Sequence, residues 1–186
     1  MAHRTLVTGF LAFGGFDVNP SALLAQASGR PHELIEVAFA AADDFLDRAV
    51  SARDFDRILM LGVRGGGTRM EVERFARNHV GAAPDVRGEV RGPAAIEPGG
   101  PDFLGGTLLD HATEFSASDD AGSYLCNYVY YRALRRLPTT IQVGFVHVPP
   151  LDVVALDEQQ RLLADFLRVV EAAPGSLRHP PPCWPT

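Results

Sequence analysis

Ser123-Tyr124-Leu125-Cys126-Asn127-Tyr128-Val129-Tyr130-Tyr131-Arg132-Ala133-Leu134-Arg135-Arg136, followed by Val143-Gly144-Phe145-Val146-His147-Val148-Pro149, is the stretch that decides the fold class. Its first part predicts a helix over Ser123 to Arg136, and its second, an apolar run stopped by proline, predicts a strand over Thr140 to Val148. A run apolar at nearly every position suits a strand buried on both faces, which needs helices above and below it. Working outward, the same alternation repeats. Strands are predicted over Leu6 to Thr8, His32 to Ala38 and Arg57 to Leu61, and helices over Pro20 to Ala27, Asp43 to Ala52 and Asp157 to Ala172. This is the pattern of an α/β fold, helices layered around a mostly parallel twisted sheet.

The last helix carries the clearest pattern. Leu162, Leu163, Phe166, Leu167 and Val170 line one face, and Asp157 with Gln160 resembles a capping box. Asn19-Pro20 reads as a helix N-cap followed by proline at the first helical position. Residues 80–106 break into Gly, Pro and charge, as in Gly88-Glu89-Val90-Arg91-Gly92-Pro93, which is the composition of a functional loop, an interface arm or a mobile segment. Residues 174–186, ending Pro180-Pro181-Pro182-Cys183-Trp184-Pro185-Thr186, predict an extended proline-rich tail.

With 186 residues, 46% of them hydrophobic, the chain fits one domain over residues 1–186. A formal charge of -6 with scattered basic residues argues against nucleic acid and against an anionic membrane. The expected substrate is small or peptidic. The segment Met1-Ala2-His3-Arg4-Thr5-Leu6 has neither the apolar core nor the cleavage site of a signal peptide, so a cytoplasmic location is expected, with Cys126 and Cys183 as free thiols. His3, His79 and His111 stand apart from other ligand-type residues, so neither a metal nor another cofactor is expected.

The chemistry gathers on three residues. Cys126 falls in the first turn of a predicted helix, after Ala121-Gly122, where unpaired backbone N–H groups and a nearby imidazolium can bring a thiol pKa to about 3.5–7.5. His147 sits where a strand leaves the sheet, the usual place for sites in open α/β folds, and can act as general base and then acid. Glu73, in Val72-Glu73-Arg74-Phe75-Ala76-Arg77-Asn78, follows the glycine-rich turn Gly62 to Gly67 and can hold the imidazole by one nitrogen. Each also has an ordinary structural role open to it: a buried helical cysteine, a lone structural histidine, and a surface ion pair of Glu73 with Arg74 or Arg77. The glycine-rich turn lacks the Lys-Ser/Thr ending of a phosphate loop. Phe10, Phe13 and Phe16 place aromatic rings at the end of the first strand, either in the core or as the wall of a pocket.

Assembled, these pieces resemble the pyroglutamyl peptidase I, or pyrrolidone-carboxylate peptidase, family of cysteine peptidases. The matching stretches are Thr8-Gly9-Phe10, Phe13-Gly14-Gly15, Asn19-Pro20-Ser21, Gly65-Gly66, Glu73-Arg74 with Ala76 and Asn78, Ala121-Gly122 with Cys126-Asn127, and Gly144 to Pro149. The resemblance implies a single-domain, phosphorylase/hydrolase-like three-layer α/β/α sandwich. It implies removal of an N-terminal pyroglutamyl residue from peptides through a thioester, with Cys126, His147 and Glu73 as the catalytic triad. It implies a ring pocket of Phe10, Phe13, Asn19, Val63, Tyr124 and Leu125, and assembly as a tetramer, with a dimer as the alternative. A lactam carries no ammonium, which would cost several kcal/mol to bury among aromatic rings. The chain departs from the family in three places. Val63 replaces a glutamine, the segment His79 to Pro84 lacks an arginine for which Arg64, Arg87 or Arg91 could substitute, and the chain is shorter after Pro149. Two further readings stay open: a non-catalytic pyroglutamate-binding homologue, and a phosphorylase-like enzyme that binds phosphate at the glycine-rich turn.

Overall fold

The computed structural model describes residues 4–14, 17–52, 54–108 and 115–172. Gly15, Phe16, His3, His111, Cys183 and the proline-rich tail lie outside them. In chain order the elements are β1 (Thr5–Phe10), α1 (Pro20–Ala27), β2 (His32–Ile35), α2 (Phe39–Ala52), β3 (Arg57–Val63), β4 (Glu71–Glu73), β5 (Phe75–Arg77), β6 (Phe103–Gly105), β7 (Ala117–Ser118), α3 (Leu125–Arg136), β8 (Gln142–Val148) and α4 (Leu156–Ala172).

Six strands form one sheet in the order β2-β1-β3-β8-β4-β7, and β5 pairs with β6 in a separate two-stranded ribbon. β1, β2, β3 and β8 run parallel, whereas β4 is antiparallel to β8 and parallel to β7. Strand order from β1 diverges, one way to β2 and the other to β3 and β8. The carboxyl ends of these strands therefore open on a topological switch point, where an open α/β sheet leaves a crevice.

Side-chain alternation divides the core into two layers. Ile58, Met60, Val143 and Phe145 face one way, packing with Phe39, Phe45 and Leu46 of α2 and Val129, Tyr130 and Ala133 of α3. Val7, Leu59, Leu61, Val146 and Val148 face the other way and meet Leu24 of α1 and Leu163, Phe166 and Leu167 of α4. Each such large side chain contributes roughly 1.5–3 kcal/mol when fully buried. The result is the three-layer α/β/α arrangement expected of the sequence. Parity has a consequence for function: His147 shares the face of Val143 and Phe145, and Gly62, its register partner on β3, shares that of Ile58 and Met60. Both point toward α3, the helix that carries Cys126.

Several boundaries differ from expectation for identifiable reasons. α2 begins at Phe39 rather than Asp43 because the Phe39 N–H donates to the Asp85 carboxylate at 2.9 Å, a cap from far along the chain. The strand expected to reach Ala38 stops at Ile35, where the chain turns: the Ala38 N–H donates to the Glu36 carbonyl at 2.7 Å and the Val37 carbonyl accepts from the Val86 N–H at 3.1 Å. α3 starts at Leu125, two residues after Ser123, since the Ser123 carbonyl accepts from the Gly81 N–H at 2.7 Å and Tyr124 stays extended as the N-cap. α4 starts at Leu156, which puts Asp157 inside its first turn instead of at the cap. The segment 80–106 is tied down along its length. Asn78 bonds the Glu97 and Gly100 carbonyls and the Glu97 N–H at 2.8–3.2 Å, Val80 bridges to Ala94, and Asp85 accepts from the N–H groups of Arg87 and Glu89.

Candidate active site

Three elements deliver one side chain each. The positive-φ turn at Gly122 (81°), in the left-handed region that favours glycine, redirects the chain into α3 and makes Cys126 the second helical residue. There the first N–H groups have no intrahelical acceptor, which favours negative charge. β8 places His147 near its end, and β4, paired against it, brings Glu73 onto the same face. Glu73 is 1% and His147 5% exposed, so the pair is shielded from water.

His147 Nδ1 lies 2.6 Å from Glu73 Oε1. An ionised carboxylate only accepts, so Nδ1 carries the proton and the other ring nitrogen is the one available to Cys126. Burial pushes the imidazolium down, yet its hydrogen bonds to Cys126 and Glu73, with their charges, outweigh burial and raise its pKa to about 9. Glu73 Oε2 is buried and has no hydrogen-bond partner among the described residues, so both donors to this carboxylate meet on Oε1. Cys126 is a free thiol. The alternative structural roles fall to other residues: Arg74 pairs with Asp119 and Arg77 with Asp120, while Glu73 pairs with Arg64 at 2.6 Å.

Beside these groups lies a cavity of about 280 Å³. Phe10, Phe13, Asn19, Val63, Tyr124 and Leu125, the six residues expected of a ring pocket, all line it, together with Cys126 and His147. Its walls come from the carboxyl ends of β1 and β3 and the start of α3. Asn19 is both wall and cap: its Oδ1 accepts from the Ser21 N–H at 3.1 Å and the Ser21 hydroxyl at 2.8 Å, and its Nδ2 donates to the Leu11 carbonyl at 3.2 Å. Its amide is thus engaged in holding α1 and the loop after β1. The Tyr124 hydroxyl is likewise committed, donating to the Pro84 carbonyl at 2.9 Å, so its ring is what faces the cavity.

Three residues emerge here that motif reading did not assign. Asn127 is fully buried, and its side chain accepts from the Arg77 N–H and donates to the Arg77 and His79 carbonyls, each at 2.8 Å. It pins the start of α3 to the strand following Glu73. A polar residue directly after the cysteine, on a helix otherwise rich in apolar side chains, was the available signal. Gly62 lies under the sulfur: a Cβ there would stand 2.8 Å from Cys126 Sγ and 2.8 Å from Phe145 Cζ. Of the three arginines considered, Arg64 reaches the site, whereas Arg87 pairs with Glu36 and Arg91 with Asp43 and Glu89. Among the described residues no three His, Cys, Asp or Glu side chains cluster to hold a metal ion, and no helix is long and apolar enough to cross a membrane.

Comparison with known proteins points one way. A family model described as pyroglutamyl peptidase matches residues 3–171. A pyrrolidone-carboxylate peptidase of Escherichia fergusonii is 31% identical over 88% of this chain and 86% of its own length. One from Streptococcus suis is 30% identical over 94% of this chain and 92% of its own. The crystal structure of pyrrolidone carboxyl peptidase from Thermus thermophilus superposes with a TM-score of 0.71 at 30% identity, covering 90% of this chain and 98% of that one. Pyroglutamyl peptidase I from Bacillus amyloliquefaciens, at 24% identity and a TM-score of 0.80 over 94% of this chain and 97% of its own, supports the fold.

Proposed function

The chain belongs to the pyroglutamyl peptidase family, and from that premise we propose that it is a cysteine exopeptidase that removes an N-terminal pyroglutamyl residue from peptides, with Cys126 as nucleophile, His147 as general acid and base, and Glu73 as the group that orients the imidazole. The observation that carries this reading is the buried Glu73–His147 pair beside the Cys126 sulfur at the wall of an aromatic cavity.

The raised pKa of His147 makes its imidazole a strong enough base to hold the proton, and the thiolate is the nucleophilic form of a cysteine. The Cys126 sulfur attacks the pyroglutamyl carbonyl carbon, forming a C–S bond while the carbonyl electrons move to oxygen. The first N–H groups of α3, which lack intrahelical acceptors, would supply donors to that oxyanion. As the carbonyl re-forms, the C–N bond breaks and His147 gives its proton to the leaving nitrogen. Water then attacks the thioester, His147 takes a proton from it, and the C–S bond breaks to release pyroglutamate and restore the thiolate. Glu73 keeps the proton-bearing nitrogen turned away from the sulfur throughout.

Specificity follows from the walls. Phe10, Phe13, Tyr124 and Leu125 offer rings and an aliphatic surface, and the polar atoms of Asn19 are already bonded, so an ammonium seated among these residues would lose its water without gaining an acceptor from them. The lactam enters without that penalty. Cytoplasmic location and assembly as a tetramer or dimer belong to the same proposal, supported by the family resemblance; sedimentation velocity tests the assembly.

The test is release of a fluorogenic amine from its pyroglutamyl amide under reducing conditions. Cys126→Ala should lose at least ~10³-fold in kcat while keeping the parent's circular dichroism, and iodoacetamide should silence the parent. Substantial turnover in Cys126→Ala would reject the reading.

A further inference from the structure

Resting on the peptidase reading, we infer that Arg64 is a positioning residue that sets the charge balance of the Glu73–His147 pair and locks it to the turn leading into α3. Its backbone is anchored first: the Arg64 N–H donates to the Val148 carbonyl at 2.9 Å, just beyond His147. The guanidinium then joins two elements, β4 and the 118–122 turn. Nη2 donates to Glu73 Oε1 at 2.6 Å and to the Asp120 carbonyl at 2.5 Å, and Nη1 donates to Glu71 Oε2 at 3.3 Å. The planar fork holds acceptors on β4 and on the 118–122 turn in a fixed geometry with two nitrogens, which the single nitrogen of a lysine does not reproduce.

The consequence is electrostatic. Glu73 Oε1 receives both Arg64 and His147, so the arginine draws off part of the charge that stabilises the imidazolium. Nη2 also stands 3.2 Å from Nδ1. Both nitrogens carry protons and cannot bond each other, so this proximity opposes the positive ring. The titratable and charged groups around His147 are Cys126 from α3, Glu71 and Glu73 from β4, with Arg69 paired to Glu71, and Arg64 from the loop after β3; Phe145 packs its ring against the imidazole at 4.9 Å. Asp119 and Asp120, on the adjoining turn, are paired with Arg74 and Arg77. Without Arg64 no cation shares Glu73 Oε1 with the imidazolium. An imidazolium held too tightly is a poor donor to the leaving nitrogen, and Arg64 keeps it able to give up its proton.

The experiment titrates the His147 imidazole by NMR in the parent chain, Arg64→Ala, Arg64→Gln and Arg64→Lys, alongside pH profiles of kcat and KM on the pyroglutamyl amide. Loss of the arginine charge should raise the His147 midpoint by about one unit, the low end for a like charge at this distance because the guanidinium is partly exposed. The alkaline limb of the rate should move up with it, and kcat should fall several-fold with KM little changed. Arg64→Lys, which keeps the charge and loses the fork, should hold the parent midpoint while still losing kcat. Arg64→Gln serves as the neutral variant if Arg64→Ala does not fold. A midpoint that stays put or falls in the neutral variants overturns the proposal, even where kcat drops, and would assign Arg64 to loop structure alone. The titration needs no turnover, so a parent chain without peptidase activity would count against the function above and leave this inference to be decided by the midpoint.

Discussion

Gly62→Ala tests the site on space alone. Gly62 lies on β3 opposite His147, its φ is outside the left-handed region, and alanine costs nothing there in backbone conformation. The added Cβ, however, would stand 2.8 Å from Cys126 Sγ, 2.8 Å from Phe145 Cζ and 3.2 Å from Phe145 Cε1. Ordinary contact between such atoms is about 3.5–4.0 Å, so the neighbours must retreat by roughly 0.7–1.2 Å. Phe145 is fully buried and packed on Tyr130 at 5.6 Å and on His147 at 4.9 Å, so its movement is passed on to the imidazole. Cys126 is only partly buried, sits at the cavity wall, and is the easier of the two to displace.

Either movement misaligns sulfur and imidazole. A misplacement of about 1 Å costs on the order of 10²-fold in rate, or about 2.8 kcal/mol in the transition state. Overpacking should also destabilise the fold by about 1–3 kcal/mol, lowering Tm by several degrees. Gly66→Ala is the control, because among the described residues no heavy atom lies within 4 Å of a Cβ at that exposed turn. The assay is kcat/KM on a fluorogenic pyroglutamyl amide, with thermal unfolding followed by circular dichroism for both variants. Gly62→Ala within three-fold of the parent, or Gly66→Ala equally impaired, would refute the claim that the sulfur is seated against β3.

Other expectations follow from the same geometry. With Glu73→Gln the imidazolium loses its buried countercharge, so the alkaline limb of the pH–rate profile, near 9 in the parent from the His147 pKa, should move down, each unit representing about 1.4 kcal/mol. At pH 8 the rate should fall by about 10²–10⁴-fold, and a limb that stays near 9 would exclude Glu73 as the partner that matters. Asn127→Ala leaves the Arg77 N–H and the Arg77 and His79 carbonyls without their buried partner. It should cost about 3 kcal/mol in urea unfolding at pH 7; a loss under 1 kcal/mol would show that water replaces it.

What the sequence made legible is what short-range pattern controls. β1, β3 and β8 are buried at nearly every position because both their faces are covered, and α1 and α4 appear within a residue of where caps and periodicity place them. Cys126, His147 and Glu73 stand out because each sits at the edge of an element. The parts that were not legible depend on partners far along the chain. α2 begins four residues early through Asp85, and β4 to β7, two or three residues each, are too short for any period to show. Arg64 belongs to the same class. Its charge and reach were visible in the sequence, but the same was true of Arg87 and Arg91, and which of the three met the site was decided by which acceptors the fold brought within reach. Asn19 shows the converse. The amide that caps α1 through Oδ1 also holds the Leu11 carbonyl through Nδ2, so one side chain ties the cap to that side of the cavity. For a residue at the junction of a strand, a loop and a helix, the structural role is the means by which the functional one is achieved. Asn19→Ala should accordingly weaken stability and substrate binding together, and Asn19→Asp, which keeps the acceptor for Ser21 but loses the donor to Leu11, should separate them.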